Sequence, residues 1–363
     1  MIHLQRVESS RDFKEFNRVF SSIYENIPAA RNTEDSIVGM LTKKKSAFFN
    51  HAKIFNFLIR DGSYTAGRLS LIHDRNLPQY VQVAFFEAHW GLPNLTEPVI
   101  HKAKLLFPEC KKIVFGLCGH LNYAAGFLED NFDKPPLFGL PYSPPWYPDY
   151  FKDLKKQKMV SFRFDNSAFY NLLDAGKMTD SIKDFRIRHL EKKHLRRDVK
   201  LYTYLNNINF RDHIYWSDRT WEEDYELFHP FRFFIKEQNL IFAEYKGEVI
   251  GFLLWYPDFN ELATGIEDLG PKHLMKFKFG PKIKTARFTE IAVKKEFRRT
   301  GVVELMVTDL AKSLRRDGFK FTEGGFIFEE NSASIGMTLR LLENAFGKKL
   351  EPYRRYAVFE EGL

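Results

Sequence analysis

The 363-residue chain has only two cysteines, Cys110 and Cys118. Two thiols cannot staple a chain of this length, and no histidine pair stands near them at ligand spacing. Neither a disulfide framework nor a metal site is therefore indicated, and both residues read as packing groups. No apolar run approaches the roughly 18 residues of a membrane span. The opening residues Met1-Ile2-His3-Leu4-Gln5-Arg6 lack the apolar core of a secretion signal. These absences point to a cytoplasmic protein with no membrane partner. Acidic residues are also in deficit, 47 against 55 lysines and arginines, and the net charge of +8 suits an anionic ligand.

What the chain does have is apolar bulk. It is 44% hydrophobic with 37 phenylalanines, enough for sizeable cores, and its length suggests about two domains. The excess of positive charge is densest over residues 183–197. There the apolar members Phe185, Leu190 and Leu195 do not form a wide stripe, so the run reads as a solvated helix face leading into a strand at 199–204. A nucleic-acid surface is the sharper alternative, but no helix-turn-helix, zinc finger or RNA-binding motif accompanies the run, and no nucleic-acid partner is expected.

Two similar halves follow one another. In the first, a strand at 2–7 precedes a helix capped by Ser9 or Ser10 and reaching Tyr24, then a hairpin turning at Asp61-Gly62, a strand at 81–86, a helix around 99–107 and a strand at 112–116. In the second, runs at 240–245 and 249–255 pair around Lys246-Gly247 and lead to a strand at 288–293. This places a first domain at 1–155 and a second at 156–363. Between the halves, residues 135–150 hold six prolines interleaved with Phe138, Tyr142, Trp146, Tyr147 and Tyr150. That composition makes a stiff, extended segment suited to packing between domains or to lining an acceptor pocket.

The strand at 288–293 is followed by Arg298-Arg299-Thr300-Gly301-Val302-Val303 and then by a helical pattern from Val302. A strand, a short basic turn and a helix N-terminus in that order make an anion site, because amides without intrahelical partners and the helix dipole converge on it. These residues resemble the acyl-CoA loop of the GNAT superfamily of N-acyltransferases. Arg298 and Gly301 stand at the first two fixed positions of its pattern, and Val303 stands where the family usually has Gly or Ala. The downstream order of helix to Arg315, Asp317-Gly318 stop, β-rich run at 319–328, Glu329-Glu330-Asn331, helix at 335–346 and terminal strand at 353–359 is also the GNAT order. The whole chain is similar to a bacterial tandem-GNAT subgroup of undefined acceptor. The similarity rests on Phe85-Phe86-Glu87, Pro141-Tyr142-Ser143-Pro144-Pro145-Trp146-Tyr147, residues 251–260 and Glu329-Glu330-Asn331.

The resemblance implies an α/β (α+β) fold of two tandem GNAT-like domains, each a mixed twisted sheet flanked by helices. It also implies direct transfer of an acetyl or longer acyl group from acetyl-CoA or another acyl-CoA to a primary amine of a small molecule or peptide. The alternative is a non-catalytic CoA-binding or scaffold protein. CoA would lie on Ile291, Val293, Arg298, Arg299, Thr300, Gly301, Val302, Val303 and Asn331. Glu290, beside the expected thioester, is the candidate base; alternation puts it with Ala292 on one strand face, so a surface carboxylate is the other reading. The family's usual tyrosine acid has no counterpart in Leu341-Leu342-Glu343-Asn344-Ala345-Phe346-Gly347. Tyr353 and Tyr356 read as packing residues that could otherwise reach the thiolate. Asn331 is either a pantetheine contact or a helix cap, and Asp258 is either a turn residue or an amine contact. The first-half turn Trp90-Gly91-Leu92-Pro93-Asn94-Leu95 has no cation and loses an amide to Pro93, so the expected CoA site is in the second half.

Overall fold

Lys246 and Gly247 adopt φ values of +50° and +87°, the left-handed pair that closes a two-residue hairpin with the twist of its strands. This and similar local choices lay out the chain. The computed structural model describes residues 2–31, 35–347 and 350–363. The first half runs β1 (Ile2–Arg6), α1 (Ser10–Tyr24), α2 (Asp35–Thr42), β2 (Ala52–Asp61), β3 (Tyr64–Asp74), β4 (Tyr80–Ala88), α3 (Thr96–Leu106) and β5 (Lys112–Phe115). A connecting region follows, with β6 (Phe127–Leu128), α4 (Tyr147–Tyr150), β7 (Lys155–Ser161), β8 (Arg163–Asp165) and α5 (Ser167–Asp174). The second half runs β9 (Phe185–His189), α6 (Leu195–Phe210), α7 (Trp221–Phe231), β10 (Leu240–Tyr245), β11 (Glu248–Pro257), α8 (Pro271–Phe279), β12 (Thr285–Val293), α9 (Val302–Asp317), β13 (Phe321–Gly324), β14 (Ile327–Phe328), α10 (Ser332–Phe346) and β15 (Arg354–Gly362).

The strands form two mixed sheets. The larger, nine-stranded, has the order β1-β2-β3-β4-β5-β15-β7-β14 with β6 also on β15, and the smaller is β8-β13-β12-β11-β10-β9. Each contains one parallel pair, β4 with β5 and β12 with β13. Sheet membership crosses residue 155: β7, β14 and the final strand β15 belong to the larger sheet, so the end of the chain is built into the first half's core. Helices cover both faces of each sheet. In the smaller one, Ile241, Ile250 and Val293 pack against Val302, Met306 and Leu310 of α9, while Leu240, Phe252 and Ala292 pack against Val199, Tyr202 and Leu205 of α6. Cys110 and Cys118 are both buried.

Two local expectations are corrected. Residues 199–204 are helical, because Leu195, Val199, Tyr202, Leu205 and Asn206 are the buried positions of α6 and recur with the period of a helix. The strand of this region lies earlier, at β9, where Phe185 and Ile187 alternate with Arg186 and Arg188. The basic run is therefore not one helix face. Arg188 is half-buried and donates to Asp198 at 3.0 Å and to Glu244 at 3.1 Å, whereas Arg196 is exposed and lies over the Trp221 ring at 5.3 Å.

Candidate active site

The site begins where β12 leaves its parallel neighbour. β12 pairs with β13 only from Thr285 to Phe288, and Gly325 then donates its amide to the Phe288 carbonyl at 2.7 Å before the chain turns away into β14 of the other sheet. Beyond Phe288, that edge of β12 has no strand partner among the described residues. On the opposite edge the amide of Lys294 bonds Ile250 at 2.9 Å, so backbone alternation aims the polar groups of Val293 and Ile291 into the open gap. A bulge falls just before it: Leu254 faces Glu290 but Trp255 faces Phe288, leaving Thr289 as the extra residue. A bulge re-aims the following side chain, and the one re-aimed is Glu290.

Glu290 is not a surface carboxylate. It is half-buried, on the α6 side of the strand, and accepts from the Tyr202 hydroxyl. Tyr202 in turn lies 3.1 Å from the Asn122 amide. Turned with its oxygen inward, that amide accepts from the Arg219 guanidinium at 3.1 Å. Arg219 is fully buried and pairs with Asp224 at 2.9 Å, and Thr203 donates to the same carboxylate at 2.7 Å. Burial pushes the Glu290 carboxyl above its ordinary value, against the opposing pull of Arg219 and the Tyr202 hydrogen bond. Burial and the adjacent Glu290 charge hold the Tyr202 phenol far above its usual range, so it acts as a donor and stays protonated.

Glu290, Tyr202, Asn122 and Asp224 line a cavity of about 640 Å³ running between the two sheets. Its walls are mostly apolar, with Phe138, Phe210, Phe231, Phe288 and Phe328 among them, and its polar members include Glu290, Asp224, Asn331 and His213. Thr289 also lines it, and its buried hydroxyl has no hydrogen-bond partner. Asn331 caps α10 by accepting from Ser334 at 3.0 Å, and its amide meets His213 Nε2 at 3.2 Å on the cavity wall. Burial lowers the affinity of His213 for a proton, so its imidazole is neutral near pH 7.

The other candidates lie elsewhere. Tyr356 is fully buried in the core of the larger sheet, and Tyr353 stacks among Lys134, Arg163 and Arg354. Asp258 forms a turn, accepting from Asn260 at 3.2 Å and from Phe138 at 2.8 Å, and so ties the proline-aromatic segment to the end of β11.

The turn after β12 has the shape of an anion cradle. Arg299 and Gly301 have φ values of +65° and +86°, and the first amide bond inside α9 runs from Leu305 to Gly301. The amides of Gly301, Val302 and Val303 precede that bond and are free of the helix. Thr300 is exposed, with its hydroxyl on the Phe297 carbonyl at 2.7 Å. Val303 packs against the main core, so its side chain turns away from the turn's outer surface. Arg298 reaches back to the Val293 carbonyl at 3.2 Å and to Asn209 at 3.3 Å, fixing the turn to the strand end.

Residues 202–342, which contain Glu290, the turn and Asn331, match the sequence model of the acetyltransferase (GNAT) family. The C-terminal part of this chain is therefore similar to a GNAT domain. A bacterial ceramide synthase of Caulobacter vibrioides (strain NA1000 / CB15N) is 23% identical over 350 residues, covering 89% of this chain and 87% of that protein. At the level of fold, a tandem GNAT protein from the clavulanic acid biosynthesis pathway superposes with a TM-score of 0.56 at 13% identity, over 100% of this chain and 98% of that one. A GCN5-related glucosamine N-acetyltransferase region of a fungal multi-domain GH3 beta-N-acetylglucosaminidase gives 0.54 at 11% identity, over 99% of this chain and 38% of that one. The fold is that of a tandem GNAT protein.

The first half repeats the GNAT gap and then fills it. β4 pairs with β5 only to Val83, and Gly116 donates to the Val83 carbonyl at 3.1 Å, just as Gly325 does to Phe288. Here, however, the open edge is occupied by the proline-aromatic segment. The Tyr147 hydroxyl accepts from the Ala88 amide at 2.9 Å, Trp146 donates to the Ala88 carbonyl at 3.1 Å, and the Tyr150 hydroxyl donates to the His89 carbonyl. Sequence reasoning singled out these rings without their target. It missed Tyr202, Arg219, Asp224, His213 and Asn122 altogether; the helical spacing of Tyr202 was the one available signal, and the others come together only in the folded chain.

Proposed function

We propose that this protein transfers an acyl group from acyl-CoA directly to the amine of a long-chain, apolar acceptor, with Glu290 as the base. The observation that carries this reading is the large, mainly apolar cavity reaching Glu290 at the open edge of β12. A polar acceptor would leave such walls dry and unmatched, whereas an alkyl chain gains free energy from each buried methylene. The similarity to a protein named bacterial ceramide synthase supports the same class, since a ceramide is an N-acylated long-chain amino alcohol. The residues present fit the thioester's carrier: the turn 298–303 offers its amides to a diphosphate, and the polar groups of Ile291 and Val293 face the gap where a pantetheine arm would lie. Bound acyl-CoA supplies the activated acyl carbonyl and, as the C–N bond forms, a thiolate leaving group.

The chain's own part is to orient the amine and to take its proton. A carboxylate pushed upward by burial is a better proton acceptor near neutral pH than a free one. Tyr202 holds it in place, and neutral His213 with Asn331 lines the same wall. The test is thiol release with several acyl-CoAs against a homologous series of straight-chain primary amines. Each methylene contributes up to about 0.8 kcal/mol, roughly fourfold, so kcat/KM should climb steeply with acceptor length until the cavity is full. A flat profile would sink the long-chain acceptor. CoA binding without turnover on any amine would favour instead a non-catalytic CoA-binding protein, the reading that the position of Tyr356 in a separate core also serves.

A further inference from the structure

Met275 and Phe279, one helical turn apart on α8, are 58% and 78% exposed. Single exposed apolar residues are ordinary on a protein surface, but the surroundings of this pair are not. Residues 271–284 carry Lys272, Lys276, Lys278, Lys282 and Lys284 and no acidic residue. Lys272 pairs with Glu267, while among the described residues Lys278, Lys282 and Lys284 have no ion-pair partner. The opposite face of α8 is anchored: His273 is fully buried, and Phe277 packs at 6.1 Å on Phe234 and at 5.5 Å on Phe259. Both of those rings line the cavity, as does Leu269 just before the helix. Phe233, 55% exposed, lies beside Phe234, and the Lys192 ammonium reaches over to the Arg232 carbonyl at 3.0 Å. Burial disfavours the Lys192 cation, Glu237 favours it, and Lys278, near enough to disfavour it in turn, borders the same patch.

We propose that this patch docks the protein on an anionic lipid surface. A helix that turns a phenylalanine and a methionine outward among lysines can seat those side chains in a bilayer interface, and its charge selects anionic headgroups. No helix among the described residues is long and apolar enough to cross a membrane, so the contact is peripheral. The patch covers the outer side of the wall formed by Phe231, Phe234 and Phe259, where an acceptor drawn from the bilayer would enter. That last role rests on the long-chain reading above; the docking itself does not.

The full chain is sedimented with vesicles of phosphatidylcholine alone or mixed with phosphatidylglycerol, without acyl-CoA, at low and high salt. Binding is expected only to the mixed vesicles and is expected to weaken with salt. A basic residue at an anionic surface contributes roughly fivefold, so Lys278→Glu with Lys282→Glu should weaken partition by about thirtyfold or more. Met275→Ser with Phe279→Ser should also release the protein while leaving the residual binding salt-sensitive. All four positions are exposed, and unchanged melting temperatures verify that the variants fold. Absence of binding to mixed vesicles, or binding that neither double variant reduces, overturns the proposal; capture of an acidic protein instead would do the same. Docking with no amine turnover would refute only the acyl-transfer reading.

Discussion

Replacing Tyr202 with Phe removes the hydroxyl and its two hydrogen bonds, to Glu290 and to the Asn122 amide, and leaves the ring. The ring keeps its edge contacts with Phe228 and Phe252, at 5.1 and 5.0 Å between centroids. Of the two, the one that bears on Glu290 directly is the donor to its carboxylate. That bond favours the charged form, so its removal pushes the Glu290 carboxyl further in the direction in which burial already pushes it. If ionised Glu290 takes the amine proton, kcat/KM rises with pH through the titration of Glu290, and the variant's rise should begin at higher pH. A hydrogen bond to a charged group contributes about 1.5–3 kcal/mol. On the acid side, where rate follows the ionised fraction, Tyr202→Phe should therefore be slower by about tenfold or more, and the two enzymes should converge at high pH. Thiol release measured across a pH series with one amine gives both limbs. Glu290→Gln is the control: it should lose roughly 10²–10⁴ in kcat and the acid limb with it. An acid limb that persists in Glu290→Gln, or one that does not move in Tyr202→Phe, would refute the assignment.

The cofactor turn and the filled first-half gap make a joint prediction: CoA should bind once per chain and raise the melting temperature, by about 2.7 kcal/mol of stabilisation at a hundredfold excess over Kd. Gly301→Asp should abolish that rise, whereas Gly301→Asn, which tolerates the left-handed backbone without adding charge, should retain it; calorimetry giving two sites, or an unaffected Gly301→Asp, would disprove the placement. His51 tests the junction between the halves. Burial disfavours its charge, but Asp74 at 2.7 Å and Glu223 at 3.2 Å outweigh this and the imidazole is pushed up to about 9. A raised folded value stabilises fully below the unfolded value near 6.5 and is lost as pH rises through about 9, a change on the order of 3 kcal/mol. Urea midpoints should fall over that window in the native protein and lose this slope in His51→Gln; parallel slopes would argue against the bridge.

Much of the plan was legible locally. The hairpin at Lys246-Gly247, the cap at Ser9 and the stop at Gly318 are set by the backbone preferences of neighbouring residues, so sequence alone places them. The helix start after Gly301 is of the same kind, and with it the amide-rich turn. The misreading of residues 199–204 has a physical cause as well. Val199, Tyr202, Thr203 and Tyr204 favour strands as isolated residues, but burial against β11 and β12 at helical spacing decides the element. Tertiary structure overrode propensity there, and Tyr202 was lost as a site residue with it.

By itself the sequence determined the hairpin at Lys246-Gly247, the position of the amide-rich turn 298–303 and the strand that carries Glu290. These depend on contacts within a few residues. The tertiary structure alone decided that Glu290 is half-buried and not on the surface, because its surroundings come from residues far apart in the chain: Asn122 from the first half, Tyr202 from α6 and the Arg219–Asp224 pair. It also decided that Trp146 and Tyr147 close one gap while the gap beside Ile291 stays open, and that β15 completes the larger sheet. Pairings of this separation leave no local pattern, since each residue's choice satisfies a partner that folding alone brings near.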